Sequence, residues 1–485
     1  MNLLKRIPDR PAANWLIMLV MAMVILMLLS PDSYLHNIAP RIDSAWFFMC
    51  GKAWMNGMVP YVDFADSKGP LLWLIYGVGY LLSHYDYHGV FWVSVVVYSF
   101  TFYFLLKTAR IFVEYRSQAI LAVLMTAIAI FNPVTHNEMR AEDFGMFFTA
   151  LSLWQLCRLL YAEHTERDER TAFFAFGISL AGTLLIKYNI TAMCCIFPAI
   201  GLYHLLRERH PVWQPLLACA AGFAALALPF LVYFLIQGSF SAFIQEYFIN
   251  TLQTIENKRE SSGALNSMIE DFSMFFELKI LFSTCMLMLL VIIITTFKMK
   301  PYKYLPLGLY LCFMMICINC HAYYYYYSLI MIVGIFPMTQ VFLQFKWCSV
   351  RLCILATFIG IAFYVYRDLL RPISICDKET IVQSNEIERI ISEIKNPRVI
   401  SLSTERGWGV TQHALPATKY WALQAGYTEL MFKDAIENIG KSDFVFVDYW
   451  DKDSIIINDR LKSEGFKFRR YITIRDTEPI KIYSR

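Results

Sequence analysis

The chain has 485 residues, of which 57% are hydrophobic and 17% charged, with a mean hydropathy of +0.45. That is too apolar for a soluble globule of this length and reads as a polytopic membrane protein. A net charge of +4 excludes a bulk nucleic-acid-binding chain, so the information lies in where basic residues fall relative to apolar runs.

Lys5, Arg6 and Arg10 precede an apolar run from Asn14 to Leu29. No small-residue cleavage site follows at Pro31-Asp32-Ser33-Tyr34, which predicts a retained first helix with a cytoplasmic N-terminus. Further apolar runs long enough, or nearly so, to span a bilayer fall at about 89–107, 117–132, 142–161, 171–187, 189–206, 213–237, 278–297, 303–319, 323–345 and 349–368. With 14–30, that predicts about eleven spans. The run Pro70 to Ser83 is short for a span. If it lies in the interface, Lys107, Arg110, Arg116, Arg158, Arg167, Arg170, Arg207, Arg209, Lys298, Lys300, Lys303, Lys346 and Arg351 all fall in cytoplasmic loops. Counting it as a span would invert every later loop and break the positive-inside pattern. The expected topology is therefore N-in and C-out, with a first extracytoplasmic loop over about 31–88.

Within that loop, Ile42, Ala45, Trp46, Met49 and Ala53 recur at helical spacing, and Pro70 to Leu82 is a second apolar helix. Both suit helices lying along the membrane surface, with Trp46, Trp54 and Trp73 at headgroup depth. Gly57 to Gly69 is the turn-forming connector. The loop holds Asp43, Asp63, Asp66 and Lys68, a cluster of carboxylates and a lysine directly after the first apolar run. A second outer loop over about 132–143 carries Glu138, Arg140, Glu142 and Asp143, and a third, over about 238–277, is long enough to be a mobile cover. Tyrosines 323 to 327 open the tenth span, suited to line an interface or cavity.

The twelve cysteines sit mostly inside apolar runs without a disulfide-like ladder and read as packing residues. His136 and His321 have no zinc-site spacing. After Arg371-Pro372 the composition becomes that of a soluble domain. A helix over 379–394, strands over 398–402 and 443–447, and a closing pair over 468–474 and 480–483 predict a small extracytoplasmic α/β domain over 375–485, without a Gly-rich phosphate fingerprint. Residues 1–371 form the expected transmembrane domain.

An aspartate just after the first span, then Gly57-Met58-Val59-Pro60-Tyr61-Val62-Asp63, then Asp66-Ser67-Lys68-Gly69-Pro70-Leu71, resembles the membrane-embedded GT-C glycosyltransferases. Within them the chain is most similar to the bacterial group containing the lipid A aminoarabinose transferase and relatives of the protein O-mannosyltransferases. Arg140-Ala141-Glu142-Asp143-Phe144 resembles the acidic pair of their second outer loop. The resemblance implies a GT-C fold and an inverting transfer of a monosaccharide from a polyprenyl-phosphate carrier, without a nucleotide sugar. The acceptor would be a lipid-linked glycan, lipid A or polysaccharide on the outer face of the cytoplasmic membrane. It also implies Asp43 as the first-loop catalytic aspartate and Lys68 as the lysine that meets the donor phosphate, with Glu142 and Asp143 as the acidic pair.

Such a transfer needs a base for the acceptor hydroxyl, and a partly desolvated aspartate can serve near neutral pH. Asp43 is the candidate, and a helix cap is the alternative reading of the same residue. The departing lipid phosphate gains negative charge, which positive groups stabilise. Lys68 leads, followed by Arg140, Lys187, Lys258 and Arg259; a snorkelling interfacial lysine is the alternative for Lys68 and the preferred reading for Lys187. Lys258 and Arg259 read more readily as a solvated pair. Glu142 and Asp143 could hold Mg²⁺ or Mn²⁺, orient sugar hydroxyls or brace the first loop. Asp63 and Asp66 either touch substrate or serve the turn. A glycolipid flippase would place ionisable groups at mid-span, whereas the acidic groups here cluster in outer loops. An O-antigen-type polymerase or ligase should carry an arginine-rich outer loop, and the 238–277 loop has only Arg259.

Overall fold

The computed structural model describes residues 10–30, 33–35, 42–84, 86–131, 139–253, 327–335, 339, 387–402, 414–422, 428–447, 454–472 and 480–485. The expected spans at 278–297, 303–319 and 349–368, most of 323–345, and Lys258, Arg259, His136 and His321 lie outside the described residues.

Helices α1 (Pro11–Leu29), α2 (Ile42–Met55), α3 (Pro70–Leu82), α4 (His88–Phe112), α5 (Arg116–Ile130), α6 (Ala141–Tyr161), α7 (Glu166–Ile186), α8 (Tyr188–Cys194), α9 (Ile196–Arg207) and α10 (Trp213–Ile236) follow one another along the chain. Proline at the first position of α1 and α3 starts each helix with its fixed φ and no wasted N–H. Among the described residues, α1, α4, α7, the α8–α9 pair and α10 are long and apolar enough to cross a membrane, which makes the protein multi-pass. Helix α3, with 13 residues, is too short to span straight, as the sequence predicts.

The described residues fall into two compact units. In the first, α6 and α7 form a hairpin across the short connector at 162–165. Glycines set its spacing. A Cβ on Gly177 of α7 would stand 1.9 Å from the Cys219 carbonyl of α10, and one on Gly222 of α10 would stand 2.0 Å from the Phe174 carbonyl of α7. The two backbones touch because neither carries a side chain there.

The second unit joins α2, the 56–69 connector and α3 to residues 232–253 and to the C-terminal α/β elements. The 232–253 stretch contains α11 (Phe240–Phe243) and a π-helix (Ile244–Asn250). Between α2 and α3, Gly51 meets Gly77: a Cβ on Gly51 would lie 2.5 Å from the Gly77 backbone nitrogen. Helix α12 (Tyr327–Met331), part of the first unit, precedes the C-terminal elements: β1 (Arg398–Leu402), β2 (Leu415–Pro416), α13 (Thr428–Glu437), β3 (Phe444–Val447), α14 (Ser454–Ser463), β4 (Lys467–Ile472) and β5 (Ile480–Ser484). The sheet order is β2-β1-β3-β5-β4, parallel across β2, β1 and β3 and antiparallel from β3 onward. Ile400, Leu402, Val445 and Val447 from the central strands pack with Ala435, Ile457, Leu461 and Phe466 as its core. The predicted strands at 398–402 and 443–447 and the closing pair at the C-terminus are present. Helices α13 and α14 and the two-residue β2 are additions.

Two interfacial tryptophans need correcting. Trp46 is 4% exposed and Trp73 fully buried. Trp46 packs at a tilt against Trp421 with ring centroids 4.9 Å apart, and Trp73 packs against Tyr61 and Phe64. Both rings are covered by protein rather than exposed on a surface, because Trp421 from the C-terminal elements and Tyr61 and Phe64 from the connector pack on them.

Candidate functional site

The second unit builds its polar cluster on one face of α2. Asp43 occupies the first turn of that helix, inside it rather than at the position before it. A carboxylate there meets the positive end of the helix dipole. Phe47, one turn further on, shares Asp43's face, and the Lys68 ammonium lies 5.7 Å above its ring. Cys50 continues the face and is fully buried, with Asp66 and Lys68 both close enough to act on its thiol. Burial pushes that thiol well above its usual range, so Cys50 stays neutral. The residues from Asp66 to Lys68 are therefore laid along the face that Asp43 begins.

The connector holds them there by its own hydrogen bonds. Tyr61 adopts a left-handed backbone (φ 66°), a costly conformation for a bulky side chain. It is fixed by Tyr61 N–H donating to the Phe64 carbonyl at 2.7 Å and its phenol donating to the Lys68 carbonyl at 2.9 Å. Asp63 accepts the Val59 N–H at 2.7 Å and so closes this turn. Asp66 accepts from Ser67 N–H at 2.5 Å and stands 3.9 Å from Lys68 Nζ, which donates to Ser67 Oγ at 2.9 Å. An ammonium has three donors, and the Lys68 side chain keeps 17% exposure. It is positioned by Phe47, Ser67 and Asp66 yet open on one side, an anion-accepting arrangement in a partly desolvated setting where charge acts more strongly than in water.

A second group of polar contacts ties the C-terminal elements to this unit. Glu246 of the π-helix accepts from Tyr420 Oη at 2.7 Å and from Asn250 at 3.0 Å, and pairs with Lys419. The Ala65 N–H donates to the Lys419 carbonyl at 3.0 Å, while Tyr420 and Met431 pack on Ala65. The segment 419–421 thus braces the connector that carries Asp66 and Lys68. No local sequence pattern announces this contact.

Lys52, on the same helix as Asp43, is 2% exposed. Burial pulls its ammonium down to about 7 from 10.5, with the Glu388 carboxylate opposing that shift. Below pH 7 both folded and unfolded chains carry the charge, and the whole cost of burying it is in place. As pH rises from 7 toward 10.5, only the unfolded chain still binds the proton, so folding stability rises by up to about 1.4 kcal/mol per pH unit. Thermal unfolding of detergent-solubilised protein between pH 7 and 9 should show this slope, and Lys52→Met should flatten it.

In the first unit, the start of α6 carries the expected acidic pair, and both members are buried. Asp143 accepts the Arg140 N–H at 2.7 Å, closing the first turn, and accepts the Tyr98 hydroxyl at 2.5 Å. Glu142 Oε1 lies 2.6 Å from Lys187 Nζ, at 2% and 7% exposure. The snorkelling reading of Lys187 is thus overturned: it caps the junction of α7 and α8 and turns inward to a carboxylate 45 residues away. Among the described residues, neither Glu142 nor Asp143 joins a third metal-ligating side chain. Glu142→Gln would leave the ammonium of Lys187 buried without its counter-charge, costing about 3–5 kcal/mol. The double variant Glu142→Gln/Lys187→Met should recover most of it, measured as unfolding midpoints.

The family described as "Dolichyl-phosphate-mannose-protein mannosyltransferase" matches residues 67–236. That segment begins one residue before Lys68 and takes in Arg140, Glu142, Asp143 and Lys187. No curated protein matches the sequence significantly. Among solved structures, ArnT from Cupriavidus metallidurans bound to undecaprenyl phosphate aligns with TM-score 0.55 and 9% identity, over 98% of this chain and 97% of that one. The same protein in its apo state aligns with TM-score 0.54 and 9% identity, over 98% of each chain. The fold is shared along almost the whole length.

Proposed function

We propose that the chain is a membrane glycosyltransferase of GT-C type, supported by the family match over 67–236 and the fold shared with ArnT, and that it transfers a monosaccharide from a polyprenyl-phosphate donor, inverting the anomeric centre. The acceptor is a lipid-linked glycan, lipid A or polysaccharide at the outer face of the cytoplasmic membrane. This follows the N-in, C-out arrangement with about eleven spans, a transmembrane domain over 1–371 and an extracytoplasmic domain over 375–485. The observation that carries the reading is the Lys68 ammonium held over Phe47, one helical turn along α2 from Asp43.

Asp43 takes the proton of the acceptor hydroxyl as its oxygen attacks the anomeric carbon from the face opposite the phosphate. The bond from that carbon to the phosphate oxygen breaks, its electron pair leaves with the lipid phosphate, and Lys68 stabilises the charge that develops there. Asp66 and Ser67 hold Lys68 in place, and Asp63 holds the turn. Glu142 and Asp143 position Lys187 and the first turn of α6. Arg140 is assigned to donor phosphate as a further positive group that would stabilise the leaving charge. The ArnT structure with undecaprenyl phosphate supports a lipid phosphate as the ligand class.

Binding tests this directly. Undecaprenyl phosphate added to the purified chain should raise its unfolding temperature, and undecaprenol should not. Lys68→Ala should weaken the phosphate lipid by roughly ten- to a hundredfold, the equivalent of about 1.5–3 kcal/mol for a charged hydrogen bond. Equal stabilisation by the alcohol would mean that the phosphate is not read.

A further inference from the structure

The end of the α6–α7 hairpin away from Glu142 and Lys187 carries a different set of side chains. Helix α6 has 21 residues, so that end lies about 30 Å along it. There, His164 in the α6–α7 connector, Glu169 in α7 and His210 in the α9–α10 connector bring three donor atoms within 4.8 Å of one another. Glu169 is 1% exposed and is the centre of the group. Its Oε1 lies 2.6 Å from His210 Nδ1 and 3.6 Å from His164 Nε2.

The imidazole of His164 is already oriented as a ligand. Its Nδ1 lies 3.1 Å from the Ala162 carbonyl, a partner that takes the Nδ1–H tautomer and leaves the Nε2 lone pair facing Glu169. Metal-binding histidines are commonly held in this way, one ring nitrogen on a carbonyl and the other on the ion. A carboxylate buried to this degree needs positive charge beside it, and a metal ion held between it and the two rings supplies that charge.

We propose that His164, Glu169 and His210 bind one Zn²⁺ ion, with water completing a tetrahedral site. Two imidazoles and a carboxylate are a borderline-soft N₂O set that suits zinc. Zn–N and Zn–O bonds of about 2.0–2.2 Å place tetrahedral ligand atoms about 3.3 Å apart, so the three donors reach the ion with adjustments of about 1 Å. His210 gives up its hydrogen bond to Glu169, and both bind the metal instead. The ion clips the α6–α7 connector to the α9–α10 connector. This site uses none of the residues assigned to sugar transfer and does not depend on that assignment.

The test uses the full, tag-free chain in lipid nanodiscs, stripped with a chelator and re-equilibrated with Zn²⁺ against a chromophoric competitor. We expect one zinc per chain by elemental analysis, and Co²⁺ in its place should give the visible bands of a four-coordinate ion. His164→Ala, His210→Ala and Glu169→Gln should each weaken zinc by about 10²-fold or more, with gel-filtration elution unchanged. His210→Cys, which supplies a thiolate, should keep the metal; a residue acting only through a hydrogen bond to Glu169 would not be rescued that way. His210 is 41% exposed at its side chain, so its substitution leaves the packed interior alone. Should a variant misfold, zinc stoichiometry and the cobalt spectrum of the unmodified chain decide. Absence of stoichiometric zinc there, or wild-type affinity in the double variant His164→Ala/His210→Ala, overturns the proposal.

Discussion

Asp43→Asn is expected to slow sugar transfer by about 10²–10⁴-fold, the range spanned by a positioned general base, while leaving the protein folded. The substitution keeps the shape of the side chain and removes its ability to take a proton. It also separates the two readings of this residue. Asparagine caps helices about as well as aspartate, so a purely structural Asp43 would tolerate the change with activity intact. The first turn of α2 loses a favourable charge at its positive end, worth about 0.3–1 kcal/mol, too little to unfold the chain. Steady-state rates with saturating donor, alongside an unfolding midpoint for each variant, check both halves of this expectation.

Lys68→Ala should cost about 10²–10³ in turnover, comparable with the loss of one preorganised electrostatic group aimed at developing charge. Its ammonium faces Phe47, Ser67 and Asp66 within the second unit, so removal also frees Asp66 and Ser67 to reorient. Lys68→Arg should retain part of the rate, because the positive charge persists although the planar guanidinium does not reproduce the compact ammonium. Equal activity in Lys68→Ala and wild type would return Lys68 to the role of an interfacial lysine.

Much of the helical framework was readable from the sequence. Long apolar runs bounded by charges give α1, α4, α5, α6, α7 and α10 within a few residues of their expected bounds, and Pro70 marks the start of α3. The turn-rich connector and its carboxylates were readable from Gly57, Pro60, Asp63 and Gly69. What the sequence conceals is who partners whom. Trp46 and Trp73 look the same whether they face lipid or protein, and only Trp421 and Tyr61, brought in from elsewhere, decide it. Lys187 at a helix end suggests snorkelling until Glu142 is seen 2.6 Å away. Glu246 and Tyr420 are separated by 174 positions, beyond any periodicity. The His164, Glu169 and His210 cluster was missed for the same reason: no short spacing joins His164 to His210. Its available signal was the grouping of histidines in two connectors that the charge pattern assigns to the same membrane face.

The most direct measurement of the central claim is single-turnover transfer by the purified chain in nanodiscs, using a polyprenyl-phosphate monosaccharide labelled in both sugar and lipid phosphate. Labelled sugar should leave the lipid, free polyprenyl phosphate should appear in equal amount, and the product bond should have the opposite anomeric configuration. Asp43→Asn should slow both signals together, by about 10²–10⁴-fold. Retained configuration, or no release of polyprenyl phosphate from any donor by a folded and lipid-binding protein, would contradict that claim.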